Sequence, residues 1–451
     1  MKKYIFSFVS ISVVLLLSCS SDPNPVLNIE GGDVQGVQTQ IEGVIVYKGI
    51  PFAAPPTGAL RWREPQPVIP WEGVRIADKF GPAAIQNDQV PGSFYHKEFF
   101  AAGDPERSED CLYLNIWTPA AGKPDKKLPV AMWIHGGGYA QGFGHEIEFD
   151  GEEWAKRGVI LVTINYRLGI YGFLAHPFLS AESPHHVSGN YGIFDQFSAI
   201  RWIRKNISQF GGDPDNLTIF GQSAGAGSVQ ALVASPLTAG LIQKAIIQSG
   251  GGLRGLGLGS TLESAEESGQ AFFDAAGLTT LEQMRAASIE DIRALQREAA
   301  AERRGVRTSP VVDGYLSTGT FSDITIAGKL PKIPYMIGYT ANDMGNMGES
   351  IADFSLKLEE LGRSGAYCYL FARPAPGDEA GAFHSSELWY IFGTLGRAWR
   401  PYIEGDYKLS AKMLDYWTNF AKKGNPNANN LPEWKPYTSR NSEFFTFNID
   451  E

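Results

Sequence analysis

The sequence predicts an α/β fold, in which helices cover both faces of a mostly parallel sheet. Six apolar runs rich in β-branched residues recur along the 451-residue chain. They are continuous rather than alternating, which is typical of strands buried on both faces. Strands that alternate with helical segments indicate this class. The runs are LPVAMWI (128–134), VILVTI (159–164), NLTIF (216–220), KAIIQ (244–248), IPYMIG (333–338) and YCYLF (367–371).

Amphipathic patterns predict the helices between these strands. Across residues 193–210 and 409–420, apolar side chains recur every three or four positions and form one stripe that can face a sheet. The second stripe ends at Gly424, a typical helix stop. Residues 260–305 are rich in Ala and Glu without a strand pattern, and they are expected to form a helical insertion or cap beside the site. Within this insertion, SIEDIRALQREAAAERRG opens as a capping box and closes on two arginines and a glycine.

The N-terminus predicts export. Two lysines precede an apolar run at 4–17, which is shorter than the roughly 20 residues that span a bilayer. The run ends in LLSC, which resembles a bacterial lipobox. We therefore expect residues 1–18 to be a lipoprotein signal peptide, Cys19 to carry lipid, and residues 19–26 to be a tether at the periplasmic or cell-surface side of the envelope. An ordinary cleaved signal or an uncleaved anchor is the alternative.

Composition excludes several classes of partner. The hydrophobic content of 43% leaves no room for a largely disordered chain. The net charge of −10, without a basic tract beyond the N-terminal lysines, argues against nucleic acid. Neither Cys-x-x-Cys nor HExxH occurs, and no metal or other cofactor is expected. No repeat or low-complexity linker divides residues 27–451, which are expected to form one domain.

A serine flanked by glycines marks the first candidate for chemistry. Residues 221–225, GQSAG, follow the run NLTIF and place a glycine two residues on either side of Ser223. In α/β-hydrolases this G-x-S-x-G pattern is a sharp strand-to-helix turn that exposes the nucleophile. The pattern alone is weak, and a glycine-rich turn without chemistry is the alternative.

The order of residues along the chain selects the partners of Ser223. In this fold class the acid and then the histidine follow the nucleophile. Six of the seven histidines precede Ser223, so only His384 can be the base. Asp343 is the preferred acid because it follows the run IPYMIG in a loop. Asp313 competes, although the adjacent Gly314 favours a turn.

A glycine-rich loop predicts the oxyanion hole. The strand AMWI runs into HGGG, a form whose backbone N–H groups bind the developing negative charge in related sites. Gly137, Gly138 and Ala224 are the expected donors. A simple glycine turn is the alternative, but a strand, a triple glycine and a later G-x-S-x-G rarely coincide.

These segments resemble the type-B carboxylesterase family, which includes the cholinesterases. The resemblance covers nearly the whole exported portion and implies the α/β-hydrolase fold and the same nucleophile, base and oxyanion donors. It aligns Asp343 with the usual Glu of the family and Met344 with a glycine. The matching segments are GIPFAAPPTGALRWREPQPV, SEDCLYLNIWTP, HGGGYAQG, NYRLGIYGFL, GNYGIFDQ, FGGDPDNLTIFGQSAGAGS, IIQSG, HSSELWYIFG and WTNFAKKGNPN.

The chain departs from this family around one loop. Ala84 replaces the cysteine that usually pairs with Cys111, so the loop 85–110 is expected to be looser; Cys111 could pair only with Cys368. The loop holds four aromatic residues but no Trp, which disfavours choline esters, because cholinesterases bind the choline cation on a Trp ring. The acid-to-histidine separation of 41 residues is short for the family and implies a reduced helical cap.

The resemblance also implies two structural ion pairs, Arg61 with Glu109 and Arg167 with Asp195.

The leading hypothesis is a serine hydrolase that cleaves small-molecule carboxylic esters without a cofactor. An acyltransferase with the same acyl-enzyme and a non-catalytic binding module are the alternatives. Aromatic residues of the loop favour an apolar or aromatic ester, although core packing explains them about as well. They are Phe94, Tyr95, Phe99 and Phe100.

Overall fold

The structure, a computed structural model, describes residues 24–101, 103–254, 259–302 and 305–449. The predicted signal peptide and Cys19 lie outside these residues, as do the two arginines predicted to close the insertion helix. Of the predicted tether, residues 24–26 are described, and Val26 already begins the first strand. Within the described ranges, no helix is both long and apolar enough to cross a bilayer.

A ten-stranded sheet forms the centre of the molecule, in the order β17-β16-β15-β12-β11-β9-β10-β8-β4-β3. The strands are β1 Val26–Ile29, β2 Gly32–Gln35, β3 Val37–Gln38, β4 Ile45–Pro51, β5 Val74–Ile76, β6 Ala83–Ala84, β7 Arg107–Ser108, β8 Tyr113–Thr118, β9 Leu128–Ile134, β10 Ile160–Ile164, β11 Gly212–Gln222, β12 Lys244–Gln248, β13 Ser260–Thr261, β14 Val311–Val312, β15 Tyr335–Thr340, β16 Tyr367–Phe371 and β17 Phe445–Phe447.

The sheet is parallel from β17 to β10 and antiparallel from β10 through β8 and β4 to β3. All six predicted runs are confirmed as strands of the parallel part. The bounds agree at 128–134, 244–248 and 367–371, whereas the run at 333–338 is shifted to Tyr335–Thr340. Three small ladders, β1-β2-β5, β6-β7 and β13-β14, lie outside the central sheet.

Helices cover both faces of the sheet. The α-helices are α1 Phe94–Phe99, α2 Glu152–Lys156, α3 Gly169–Phe173, α4 Pro177–Glu182, α5 Tyr191–Asn206, α6 Ala224–Ala234, α7 Leu262–Ala275, α8 Leu281–Ala286, α9 Ile289–Ala301, α10 Phe321–Ile326, α11 Gly348–Glu360, α12 Leu388–Phe392 and α13 Glu404–Lys423. The 3-10 helices are Gly58–Leu60, Pro124–Lys126, Ile207–Phe210, Pro236–Thr238 and Leu395–Arg397.

Alternating side chains of each strand feed two separate cores. Met132 packs with residues of α5 and α6 on one face, and the next residue, Trp133, packs with residues of α12 and α13 on the other. Both predicted stripes are confirmed as core-facing, and α13 ends at Gly424 with φ of 71°. The continuous apolar character of the strands follows from this burial on both faces.

The predicted insertion forms three helices, α7, α8 and α9, and α9 begins with a capping box between Ser288 and Asp291. It packs on a separate cluster that includes Trp62 and Tyr171. The short β13-β14 ladder at its base was not predicted. The guanidinium of Arg293 donates to the backbone oxygen of Gln86 at 2.9 Å, so the insertion contacts the loop 85–110.

Both predicted ion pairs form. Arg61 donates from Nε to Glu109 at 2.7 Å, and Arg167 donates to both carboxylate oxygens of Asp195.

Cys111 and Cys368 are buried and free, so the one possible disulfide is not formed. The β6-β7 ladder joins the two ends of the loop 85–110 where the family's disulfide is missing, which holds the base of the loop in a regular structure.

Candidate active site

A sharp turn carries Ser223 between strand and helix. Strand β11 ends at Gln222, Ser223 has φ of 56° and ψ of −124°, and α6 begins at Ala224. This left-handed backbone is rare for a residue with a side chain and marks a strained position. The backbone N–H of Ser223 donates to the oxygen of Gln248 at 2.9 Å, which fixes the turn to the neighbouring strand.

Close packing of the backbone explains the glycine after the serine. A Cβ atom on Gly225 would lie 2.1 Å from the backbone oxygen of Ile134, at the end of β9. Only glycine lets the first turn of α6 approach that strand so closely. The same approach brings the serine turn beside the glycine-rich loop that follows β9.

Two loops bring His384 to Asp343. Nδ1 of His384 lies 2.6 Å from Oδ1 of Asp343. Asp343 follows β15 and His384 follows β16, and the loops are joined by a bridge between Asn342 and Phe383. The backbone N–H of Asn342 donates to Ala382 at 2.9 Å. The geometry therefore places the two predicted partners in contact although 41 residues separate them.

The carboxylate of Asp343 is buried yet supported. Burial alone would raise its pKa, but the hydrogen bond and charge of His384, together with a backbone N–H donated by Thr340, outweigh burial and hold the pKa below its ordinary value. The N–H of Met344 also donates to it at 2.7 Å. Asp343 is thus set to remain ionised beside the imidazole.

The competing acid, Asp313, lies in a different environment. Its carboxylate accepts from Nδ2 of Asn190 at 2.7 Å and from the backbone N–H groups of Tyr315 and Ser317. Gly314 has φ of 79°. These contacts are those of a turn, and none of them joins Asp313 to the histidine.

The second ring nitrogen of His384 contacts a residue that the sequence analysis did not single out. Nε2 lies 3.1 Å from Nε2 of Gln222, and both side chains are buried. Since the other nitrogen faces a carboxylate, the amide donates and the imidazole accepts. Among the described residues, no hydrogen bond joins the Ser223 hydroxyl to His384, whose Nε2 is hydrogen-bonded to Gln222 instead.

The glycine-rich loop after β9 is shaped for backbone donors. Gly137 and Gly138 have φ of 95° and 64°, and a Cβ atom on Gly137 would lie 2.1 Å from the backbone oxygen of Gln141. Among the described residues, none accepts a hydrogen bond from the N–H groups of Gly137, Gly138 or Ala224. These groups are therefore available to an oxygen atom placed beside Ser223.

A cavity of about 360 Å³ joins these parts, since Ser223, His384, Gly137 and Gly138 all line it. Its wall is aromatic, and three of the four loop residues singled out in the sequence contribute to it. Those residues are Tyr95, Phe99 and Phe100. Phe99 and Phe100 also belong to the hydrophobic core, so these two residues contribute to core packing and line the cavity as well. None of the described residues of the insertion lines the cavity.

Two buried glutamates that the sequence analysis missed also line this cavity, Glu146 and Glu148. They follow the HGGG loop at alternate positions, a spacing that gives no sign of their place in the tertiary structure. Glu146, Phe99 and Phe149 separate the cavity from a larger one of about 710 Å³, which no residue of the proposed catalytic set lines. We find no cluster of His, Cys, Asp and Glu suited to a metal ion among the described residues.

A third buried carboxyl group lies close behind the site. Glu387 is fully buried, and one of its oxygens accepts a long hydrogen bond of 3.3 Å from Gln248. Burial, and then the charge of Asp343, raises the pKa of Glu387 to about 7. Protonation of this group near neutral pH lowers the number of negative charges beside Asp343.

The sequence of the chain is similar to those of known esterases. The Carboxylesterase family matches residues 23–361 and 351–451. The chain is 34% identical to the fumonisin B1 esterase of Sphingopyxis macrogoltabida, over 95% of this chain and 87% of that protein. It is 32% identical to the para-nitrobenzyl esterase of Bacillus subtilis (strain 168), over 93% of this chain and 94% of that protein.

The crystal structure of a carboxylesterase from Geobacillus stearothermophilus superimposes with a TM-score of 0.77 at 32% identity, covering 94% of this chain and 96% of that one. The structure of a thermophilic PNB esterase gives a TM-score of 0.79 at 29% identity, covering 94% of this chain and 96% of that one. The central parallel sheet flanked by helices is therefore that of an α/β-hydrolase. The chain belongs to the carboxylesterase family and is a carboxylic ester hydrolase.

Proposed function

We propose that the protein hydrolyses small-molecule carboxylic esters through an acyl-enzyme on Ser223, with His384 as general base and acid and Asp343 as its orienting acid. One observation carries this proposal: Ser223, on its strained turn, lines the same cavity as His384, whose Nδ1 lies 2.6 Å from Asp343. A nucleophile, a base and a carboxylate that orients the base are the parts that acyl transfer needs.

The proton moves from Ser223 to Nε2 of His384 as the hydroxyl oxygen attacks the ester carbonyl. Asp343 holds the proton of Nδ1 and so leaves the Nε2 lone pair free to accept. The amide of Gln222 must release Nε2 before this step. Catalytic hydrogen bonds often form only when substrate is bound, which fits this exchange of partners.

The carbonyl oxygen becomes negative in the tetrahedral intermediate. Backbone N–H groups of Gly137, Gly138 and Ala224 support it, because fixed donors need no reorganisation as the charge develops. His384 then protonates the departing alcohol, and the same imidazole activates a water molecule that releases the acid.

The aromatic wall of the cavity favours an ester with an apolar or aromatic part. Tyr95, Phe99, Phe100 and Phe149 line the space next to Ser223. Two relatives are named a fumonisin B1 esterase and a para-nitrobenzyl esterase, and the second name denotes an aromatic ester. We propose substrates of this general kind for this chain as well.

Hydrolysis of p-nitrophenyl butyrate by the wild type and by Ser223→Ala tests the proposal. We expect the substitution to lower kcat by about a thousandfold or more, since the nucleophile is lost. A matched Ser228→Ala variant, one helical turn further along α6, should retain activity. Equal rates for wild type and Ser223→Ala would contradict the proposal and favour a non-catalytic module.

A further inference from the structure

The guanidinium of Arg400 lies between the aromatic wall of the cavity and the loop that carries His384. Helix α1 bears two residues of that wall, Tyr95 and Phe99. The side chain of Arg400 is fully buried, and so is that of its ion-pair partner on α1, Glu98. Charged groups are rarely buried to this degree unless they are paired. The partners of Arg400 come from two segments that border the cavity.

Every N–H group of this guanidinium has an acceptor. Nε and Nη2 of Arg400 donate to the two carboxylate oxygens of Glu98 at 3.0 and 2.6 Å. Nη1 and Nη2 donate to the carboxylate oxygens of Asp378 at 2.8 and 3.1 Å. Nη1 also donates to the backbone oxygen of Pro376 at 2.9 Å. These bonds use all five donors of an arginine, in a planar arrangement that a lysine does not provide.

Aromatic rings complete the surroundings of Arg400. The ring centres of Phe383 and Trp399 lie 5.1 and 4.6 Å from its Cζ atom, within the range of cation–π contacts. Phe383 directly precedes His384, and Asp378 lies in the same loop after β16. Arg400 therefore contacts the helix of the cavity wall on one side and the loop of the catalytic base on the other.

The His384 loop has supports that do not involve Arg400. The ring of His384 contacts Asp343, as described above. Oδ1 of Asn342 accepts from the backbone N–H of Ala382 at 2.9 Å, and Asn342 also forms the bridge to Phe383. The position of the base is therefore fixed from the side of β15 as well.

Helix α1 depends more strongly on the contacts around Arg400. The β6-β7 ladder holds only the two ends of the loop 85–110, and α1 lies between them. Its aromatic residues pack on the segment 383–400: Phe94 meets Phe383 edge to face at 4.9 Å between ring centres, and Phe99 stacks on Trp389 at 5.7 Å. The ion pair with Arg400 adds a directional link to these apolar contacts.

We propose that Arg400 is a positioning residue that fixes α1, and with it the aromatic wall, relative to His384, and thereby favours esters with a large apolar part. The proposal rests on the proposed ester hydrolysis at this cavity. A wall that is held in place before binding lets a ring of the ester pack on Tyr95 and Phe99 without the cost of ordering the helix. A small ester does not reach the wall, so its hydrolysis does not depend on Arg400.

The first test compares the wild type with Arg400→Lys, which keeps the positive charge and loses the planar fork. Hydrolysis is followed by pH-stat titration with ethyl acetate, benzyl acetate and ethyl phenylacetate, which carry no ring, a ring on the alcohol side and a ring on the acyl side. We expect KM to rise at least about fivefold for one or both ring-bearing esters, with kcat changed by less than about twofold, because ground-state and transition-state binding are lost together. For ethyl acetate, kcat/KM should stay within about twofold.

Arg373→Lys is the matched control. Arg373 lies in the same loop after β16, and its guanidinium donates to both carboxylate oxygens of Asp406 at 2.6 and 3.1 Å. Asp406 belongs to α13 rather than α1, so the kinetics of this variant should match those of the wild type. Glu98→Gln is the second variant if Arg400→Lys does not fold. It removes the charge that Arg400 binds but keeps an acceptor for Nε1 of Trp399, and KM should change in the same direction.

Hydrogen exchange measured by mass spectrometry reports on α1 without any turnover. Backbone N–H groups of α1 should exchange at least about tenfold faster in Arg400→Lys than in the wild type, because the helix opens locally more often. Exchange in β12 should be the same in both proteins, and Arg373→Lys should leave the exchange of α1 unchanged.

Unchanged KM values for both ring-bearing esters in Arg400→Lys, or unchanged exchange of α1, would overturn the proposal. An equal loss of kcat/KM for all three esters would overturn it too, since it would show a general effect on the chemistry. In each of these cases the wild type still hydrolyses esters, and the proposed function stands. A wild type that hydrolyses none of the three esters would instead refute the proposed function, and with it the role of Arg400 in ester preference.

Discussion

At the scale of single residues, the contact between Asp343 and His384 determines which ring nitrogen carries a proton. Asp343→Asn keeps the size of the side chain but offers an N–H group to Nδ1, which favours the wrong tautomer. We expect kcat for p-nitrophenyl butyrate to fall by about ten thousandfold. Asp313→Asn is the matched control, because Asp313 accepts turn hydrogen bonds and does not contact His384. Similar losses in both variants would refute the assignment of the acid.

Some residues of the site could be predicted from the sequence, and others could not. Ser223 and His384 could be found because the nucleophile has a local pattern and only one histidine follows it. Asp343 could be found because it follows a strand. Gln222 and Glu148 could not, since their importance lies in contacts that only the folded chain creates: an amide against Nε2 of His384, and a carboxyl group in the cavity.

At the scale of elements, a buried ion pair ties the start of α5 to the loop after β10. Asp195 accepts three hydrogen bonds from Arg167, and both side chains are almost fully buried. Asp195→Asn leaves a buried guanidinium without its counter-charge, which should lower the free energy of unfolding by about 3–5 kcal/mol. Urea unfolding measures this change.

The matched control is an exposed pair on α13, Glu404 with Lys408. Glu404→Gln should alter stability by less than about 1 kcal/mol, because solvent screens surface pairs. Equal effects of Asp195→Asn and Glu404→Gln would show that the buried pair does not stabilise the packing of α5 against the loop after β10.

Elements differ in how clearly the sequence predicts them. The parallel strands were predicted because burial on both faces makes them continuous apolar runs, as in β12 and β16. The antiparallel strands β4 and β8 were not singled out. In β4, Lys48 and Gly49 interrupt the apolar pattern, and the pairing with β8 shifts register between Tyr47 and Ile50. Such irregularity weakens the local signal of a strand.

At the scale of the whole molecule, buried carboxyl groups make stability depend on pH. An unfolded Glu loses its proton near 4.5, whereas folded Glu387 keeps it to about pH 7. Between these values the folded state binds more protons, so this contribution is fully present below about pH 4.5 and is lost as pH rises through about 7. Glu146 and Glu148 act in the same direction.

We therefore expect the contribution of Glu387 to the unfolding free energy to fall by up to about 3 kcal/mol between pH 5 and 8. Glu387→Gln cannot lose a proton, so its stability relative to the wild type should rise over this range. Urea unfolding at several pH values measures both proteins. A difference between them that stays constant with pH would contradict the raised pKa of Glu387.

The placement of the whole molecule in the cell is a separate proposal. LLSC at the end of the N-terminal apolar run favours lipid on Cys19 and anchoring at the cell envelope. Cys19→Ser should abolish labelling by radioactive palmitate and move the esterase from the membrane fraction to the soluble fraction. Unchanged labelling, or a wild type that is soluble after export, would refute the lipid anchor.

The most direct test of the central claim is to identify the residue that a covalent serine-hydrolase inhibitor modifies. The wild type is treated with a fluorophosphonate, digested, and examined by mass spectrometry. The account predicts one adduct, on the peptide that contains Ser223, with labelling lost in Ser223→Ala and strongly slowed in His384→Ala. An adduct on another residue, or undiminished labelling of Ser223→Ala, would contradict it.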